Sequence, residues 1–256
     1  MTNRFDWEIL NPAPYYRNLR AILMNPGLSN RVVWVANNPF EAFYLEEKLG
    51  IPSLSERVSV IHPLGLSGVD FTYPDSLPPP SKSHFAIRAF YCGRIHSLLA
   101  KKIPLTIIPV ASHYGGPQAL VKFKGYIDFP YQYSTMKLYE NLASNVDVFI
   151  PTPRLLEELI KKDTHCSSWI SIPTVKDLSK KHLLTPAPTF PPWSALFDFY
   201  NPLFAPYIHY FDTLEELSVI SSVEKKGGKE FYADYRREIL QKWRRVLEQV
   251  HRRTSS

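Results

Sequence analysis

Two loops in this 256-residue chain combine residue types able to hold a phosphorylated ligand. The first is Ser112-His113-Tyr114-Gly115-Gly116-Pro117. Gly115 and Gly116 let backbone approach a ligand closely. Pro117 suits the first turn of a helix, whose N–H groups would face the loop and favour an anion. His113 could donate a hydrogen bond or act as a base, and Tyr114 lies beside it. A plain Gly-Gly turn with a capping histidine accounts for the same residues. The second loop is Pro130-Tyr131-Gln132-Tyr133-Ser134-Thr135. Ser134 is a good N-cap for the helix that follows, and Lys137 falls in its first turn. Hydroxyls, N–H groups and the helix dipole together suit a pyrophosphate. Glu140 follows Ser134 by six residues. A carboxylate there, facing the same crevice, could accept both hydroxyls of a ribose. The competing reading is a capped helix with a surface glutamate.

Several chemistries find no support. There is no GxGxxG, no GxxxxGK[ST] and no GxSxG, so a dinucleotide oxidoreductase, a P-loop NTPase and a typical α/β-hydrolase are disfavoured. Two cysteines, Cys92 and Cys166, make no disulfide framework, and no Cys/His cluster has zinc spacing. No metal or cofactor is expected, and a reducing, cytoplasmic setting is the expectation. No apolar run approaches the ~18 residues of a membrane span. The pairs Glu46-Glu47 and Glu157-Glu158 sit on predicted helices near basic residues and read as solvated faces rather than glycosidase acids.

The elements that must position these loops alternate regularly. Residues 31–36 (RVVWVA) read as a buried strand. Asn37, Asn38 and Pro39 open a helix over 40–49 that Gly50 closes, and 58–62 is a second strand. Residues 71–84, with Pro74, Pro78, Pro79 and Pro80, are the best linker candidate. Beyond them, strands are predicted at 85–90, 105–110, 126–130 and 146–150. Helices are predicted at 94–101, 117–124, 134–144 and 154–162. Such βαβ alternation implies an α/β fold with a mostly parallel, Rossmann-like sheet. Its ligands should bind at the carboxyl ends of the strands. Residues 163–210, rich in proline and aromatics, read as irregular.

The net charge of +6 is concentrated at the C-terminus. From Glu224 to Ser256 there are ten Lys/Arg and five Asp/Glu, which gives +5. This stretch reads as an amphipathic helix with Tyr232, Tyr235, Ile239, Trp243, Val246 and Val250 on one stripe and Arg236, Arg237, Arg244 and Arg245 mostly off it. It is a candidate for peripheral contact with an anionic membrane or a partner, and a docked helix with a solvated basic face fits the pattern equally. No nucleic-acid-binding motif accompanies it, so no nucleic-acid partner is expected.

The segment from Ile127 to Leu159, IDFPYQYSTMKLYENLASNVDVFIPTPRLLEEL, resembles the donor-binding half of GT-B fold glycosyltransferases. The matching features are a strand ending at Pro130, a helix carrying Tyr139-Glu140-Asn141-Leu142-Ala143, and a strand ending Ile150-Pro151-Thr152. Glu140 matches the second of two family glutamates, which usually binds the donor ribose. Gln132, eight positions earlier, stands where the first would fall. Tyr133-Ser134-Thr135 occupies the loop that in the family binds the diphosphate. Residues 31–66 are similar to the last strand–helix–strand of the first GT-B domain, and a long terminal helix returning to that domain is common in such folds. The resemblance implies a partial first-domain segment at 1–70, the linker at 71–84, a donor-binding domain at 85–222 and the basic helix at 223–256. It implies sugar transfer from a nucleotide diphosphate sugar, as substrate rather than cofactor, to an unknown acceptor. Donor contacts would come from His113, Tyr114, Gly115, Gly116, Gln132, Tyr133, Ser134, Thr135, Lys137 and Glu140, without a metal. In the family the acceptor-activating base normally comes from the first domain, of which the resemblance implies only a partial segment here. The alternative expectation is a truncated or inactive, glycosyltransferase-like binding or scaffold protein.

Overall fold

The computed structural model describes residues 11–29, 31–66, 73, 75–89, 93–110, 115–130, 133–162, 193–220 and 227–254. Cys92 and Cys166 lie outside them. The chain forms two compact units. One comprises residues 1–63, 173–198 and 235–256, and the other residues 64–172 and 199–234.

The larger unit is built on a five-stranded parallel sheet. Its strands are β3 (His84–Arg88), β4 (Thr106–Val110), β5 (Gly125–Ile127), β6 (Val148–Pro151) and β7 (Ile208–Phe211), in the order β4-β3-β5-β6-β7. Helices α5 (Gly93–Lys102), α6 (Gly116–Leu120), α7 (Met136–Ala143) and α8 (Pro153–Lys162) follow β3, β4, β5 and β6 in turn. The strands read as nearly unbroken apolar runs because a parallel sheet is covered on both faces. Phe85, Ala86, Ile87, Tyr126, Ile127, Val148 and Ile150 are accordingly buried outright. Each predicted strand in this unit is present but shorter at one or both ends than its apolar run.

The expectation that 163–210 is irregular fails at its end. Ile208–Phe211 is the fifth strand, with Val148 opposite Ile208 and Phe149 opposite His209. The His209 ring stacks on Phe149 at 4.6 Å, and Nε2 lies 3.4 Å from Asp147 Oδ1. Short 3-10 turns at Trp193–Leu196, Asp198–Tyr200 and Ala205–Tyr207 precede the strand. The proline-rich stretch before β3 is anchored to this unit. Tyr73 donates its hydroxyl to the Pro78 carbonyl and packs near Phe123, and Lys82 Nζ donates to the carbonyls of Val121 and Phe123.

Gly65 sits close against the backbone of helix α7. Its φ is +61°, and a Cβ there would lie 2.6 Å from the Tyr139 carbonyl oxygen, an atom of helix α7 that cannot swing aside. Gly65→Ala combines left-handed strain with a backbone collision. It is expected to cost about 1–3 kcal/mol, read as a lowered urea midpoint with an unchanged m-value.

The smaller unit holds α1 (Pro12–Met24), α2 (Pro26–Ser29), β1 (Val35–Ala36), α3 (Pro39–Leu49), α4 (Leu54–Arg57) and β2 (Ser59–Val60). β1 and β2 pair in parallel, so β1–α3–α4–β2 is one crossover unit. Only Val35 and Ala36 of the predicted strand 31–36 enter the ladder. Helix α3 starts where predicted. Asn38 Oδ1 accepts from Glu41 N at 2.9 Å, Glu41 Oε2 accepts from Asn37 N at 2.7 Å, and Gly50 ends the helix in the left-handed region. This reciprocal capping fixes the entry of the chain into the helix. Arg20 of α1 donates to the carbonyls of Leu49 and Gly50, fastening α1 to the C-terminus of α3. Tyr16, Leu23, Ala42, Leu49 and Leu54 form the core.

A buried polar clip joins three separate segments of this unit. His62 Nδ1 lies 2.5 Å from the Tyr235 hydroxyl and Nε2 lies 3.1 Å from Asp198 Oδ1, with all three side chains buried. A carboxylate only accepts, so Nε2–H donates to Asp198 and, with a neutral ring, Nδ1 accepts from the Tyr235 hydroxyl. Burial, with the charges of Asp198 and Glu238, pushes the Tyr235 phenol up and keeps it a donor.

The basic C-terminal helix spans Lys229–Thr254. Tyr232, Tyr235, Ile239 and Val246 of the predicted stripe are buried, but Trp243 and Val250 are exposed. Each follows a buried residue by four positions, which rotates it about 40° past that residue at 100° per position.

Candidate functional site at the carboxyl ends of strands β3 and β5

The strand order sets the place of the site. From β3 the chain moves outward to β4, then returns past β3 to β5 and continues to β6 and β7 on the other side. The edge shared by β3 and β5 is therefore the topological switch point, the place where open α/β sheets bind ligands at the carboxyl ends of their strands. Ile87 pairs with Ile127. The next residues, Arg88 and Asp128, thus stand at the mouth of that edge. Asp128 is buried.

Helix α7 brings two more ionisable groups here. Its N-cap is Thr135, whose Oγ1 accepts from Leu138 N at 3.3 Å. The predicted cap, Ser134, lies one residue outside, and its hydroxyl instead bonds the Tyr139 hydroxyl. Tyr133, Ser134 and Thr135 are all buried, so the loop packs inward. Leu138, Tyr139 and Leu142 seat the helix on the sheet unit. Lys137 and Glu140, three apart, share the other face.

The Lys137 ammonium lies 4.4 Å from the centre of the Tyr126 ring. Burial lowers its pKa from 10.5 to about 7; the Arg88 charge acts in the same direction, and Asp128 and Glu140 oppose it. Burial raises the Glu140 carboxyl, and Lys137 partly offsets the rise. The site thus holds a lysine poised between its two protonation states at neutral pH, beside an arginine and two carboxylates. Such a lysine can receive an anion and gain a proton as it does so.

Other residues stand near the switch point. Tyr200, in the Asp198–Tyr200 turn, donates its hydroxyl to the Pro151 carbonyl at 2.9 Å. Its phenol is raised well above the ordinary value by burial, then by Tyr210 and by Asp128. His96 of α5 bonds the Arg88 backbone, and burial lowers its pKa. Beyond β6 and β7, Arg154 clasps Asp212 through Nε and Nη2, at 3.0 and 2.7 Å, and Thr152 donates to the same carboxylate. That cluster satisfies itself and caps α8, with Leu155 N donating to Thr152 Oγ1.

Of the residues singled out in the sequence, Lys137 and Glu140 are brought together at the switch point. Gly115 and Gly116 both have positive φ, 84° and 64°, and open α6 just after β4. Their left-handed pair is a backbone shape that only glycine adopts easily. His113, Tyr114 and Gln132 lie outside the described residues. Sequence reasoning passed over Asp128 and Tyr200. Asp128 carried a readable signal, a charged residue between Ile127 and Phe129 at the end of an apolar run. Tyr200 carried none, because the strand that follows it was not foreseen. No family model matches the chain, and no curated protein or solved structure matches it either.

Proposed function

We propose that the sheet unit binds a nucleoside diphosphate sugar at the carboxyl ends of β3 and β5, and that the protein transfers the sugar to an acceptor. The resemblance to the donor half of GT-B glycosyltransferases motivates the reading. The observation that carries it is Lys137 and Glu140 sharing one face of α7 at the switch point, beside Arg88. In this reading Lys137 and Arg88 hold the diphosphate. Charge builds on the leaving diphosphate as the glycosidic bond breaks, so fixed cations there stabilise the transition state more than the ground state. Glu140 accepts from the ribose hydroxyls, and the Gly115-Gly116 turn gives the ligand a close approach to backbone.

The test is calorimetric titration of the whole chain with uridine and guanosine diphosphate sugars, followed by an assay for free nucleoside diphosphate. Binding and turnover are expected, and no binding at millimolar ligand ends the proposal. Glu140→Ala is expected to weaken nucleoside diphosphate binding roughly tenfold, the worth of a hydrogen bond to a charged group. Binding of inorganic pyrophosphate should be unchanged. Equal affinity of the variant and the parent for the nucleotide removes the ribose assignment.

A second reading, donor binding without transfer, is favoured by the smaller unit. Its described sheet has two strands of two residues each. Both ring nitrogens of His62 are engaged by Tyr235 and Asp198, leaving that histidine no free nitrogen to activate an acceptor. Tyr15, Ile22, Met24 and Leu28 are exposed on α1 and α2, as a binding or scaffold face would have them. Binding with no released nucleoside diphosphate, across the same donors, selects this reading.

A further inference from the structure

We infer that the C-terminal helix carries a docking surface for an anionic lipid bilayer. Leu240, Trp243, Leu247 and Val250 are 55%, 38%, 64% and 36% exposed. At 100° per residue they fall within an arc of about 80°. They form an exposed apolar seam bordering the stripe buried by Tyr232, Tyr235, Ile239 and Val246. Arg237, Arg244 and His251 recur every seven residues and therefore run as a row along the solvent side of this seam. All three are exposed. Arg245 and Arg252 lie farther round the same polar face and are exposed as well. The acids from residue 236 onward are Glu238 and Glu248; neither lies within the seam, and Glu248 pairs with Arg244 Nε at 3.0 Å.

This is the arrangement of a helix that lies in a membrane interface. Aliphatic side chains and an indole enter the headgroup–acyl boundary, and guanidinium groups along the border meet lipid phosphates. Trp243 at the middle of the seam suits that depth, since its ring is apolar with one polar edge. Among the described residues no helix is long and apolar enough to cross a membrane, so the contact is peripheral. Charge argues against a second copy as the occupant. In an antiparallel pair the Arg237–Arg244 rows of two copies would face each other and repel. The seam also covers only about one and a half heptads, fewer than the three to four that mark a coiled coil. A nucleic-acid backbone would be met by cations alone and would leave the four apolar side chains in water.

The test is co-sedimentation of the full chain with phosphatidylcholine vesicles, with and without phosphatidylserine. Binding to the phosphatidylserine vesicles is expected to exceed binding to the neutral ones at least tenfold, and to fall as salt rises, because screening weakens the arginine contacts. Leu240→Glu combined with Leu247→Glu should lower it at least tenfold while far-UV circular dichroism is unchanged. Arg237→Glu with Arg244→Glu should lower it and remove the lipid-charge dependence. Equal binding to both vesicle types, undiminished binding by the leucine variant, or a dimer in sedimentation velocity that the leucine variant abolishes would each overturn the inference.

Discussion

Asp198→Ala is expected to destabilise the protein by about 1–3 kcal/mol, the cost of taking the acceptor away from a buried donor. The effect follows from the place of Asp198 in the clip. It is wholly buried and takes the Nε2–H of a buried His62, whose other nitrogen faces Tyr235. Without the carboxylate, the buried imidazole N–H loses this acceptor while its desolvation remains. The clip also joins the segment after β2, a 3-10 turn and the C-terminal helix across 173 residues of sequence, so its loss loosens all three. Tyr235→Phe removes only one hydroxyl and should cost about 1 kcal/mol, a typical net hydrogen bond. Urea denaturation of the parent and the two variants measures this order. A loss below that of Tyr235→Phe for Asp198→Ala would mean that the pair does not hold the segments together.

Lys137→Met is expected to weaken diphosphate binding by about 10- to 100-fold, the worth of a hydrogen bond from a charged donor. The parent should take up protons as it binds. Free Lys137 titrates at about 7, so near neutrality a sizeable fraction is unprotonated. A diphosphate beside it favours the ammonium and raises the pKa. Affinity should therefore fall as pH rises above 7, and calorimetry in two buffers of different ionisation enthalpy should show net proton uptake that Lys137→Met abolishes. The same shift has a consequence for stability. The folded-state pKa lies below the unfolded value of 10.5. Between about 7 and 10.5 the unfolded chain binds the extra proton, and stability contributed at this site rises with pH through that window. Below it both states are protonated and the contribution is flat. Lys137→Met should remove that slope. Binding with no proton exchange, or a slope that survives the substitution, contradicts the placement of Lys137 in the site.

The sheet unit was legible where local pattern sufficed. Apolar β-branched runs such as LTIIPV and VDVFI alternate with helical spacing, and each became β4 or β6 at nearly the expected place. Asn38, Pro39 and Gly50 bounded α3 because caps act within a few residues. The exceptions have non-local causes. Ile208–Phe211 is short and lies in an aromatic, proline-rich context. It is a strand because β6, 60 residues earlier, offers it a ladder. Trp243 and Val250 fit the 3–4 spacing of the buried stripe, yet the face that the protein covers is narrower than the pattern allows.

By itself the sequence determined the α/β class, the parallel alternation, the basic terminal helix and the pairing of Lys137 with Glu140 on one helical face. These follow from periodicity, capping and i,i+3 geometry, which act over a few residues. Tertiary structure alone decided that Arg88 and Asp128 flank Lys137, since that depends on the register of β3 against β5. It alone decided that Lys137 titrates near neutrality, since desolvation depends on what packs around the ammonium. It alone drew residues 1–63, 173–198 and 235–256 into one unit. Hydrogen bonds such as those of His62 act over ångströms in space, and neither distance along the chain nor residue type announces them.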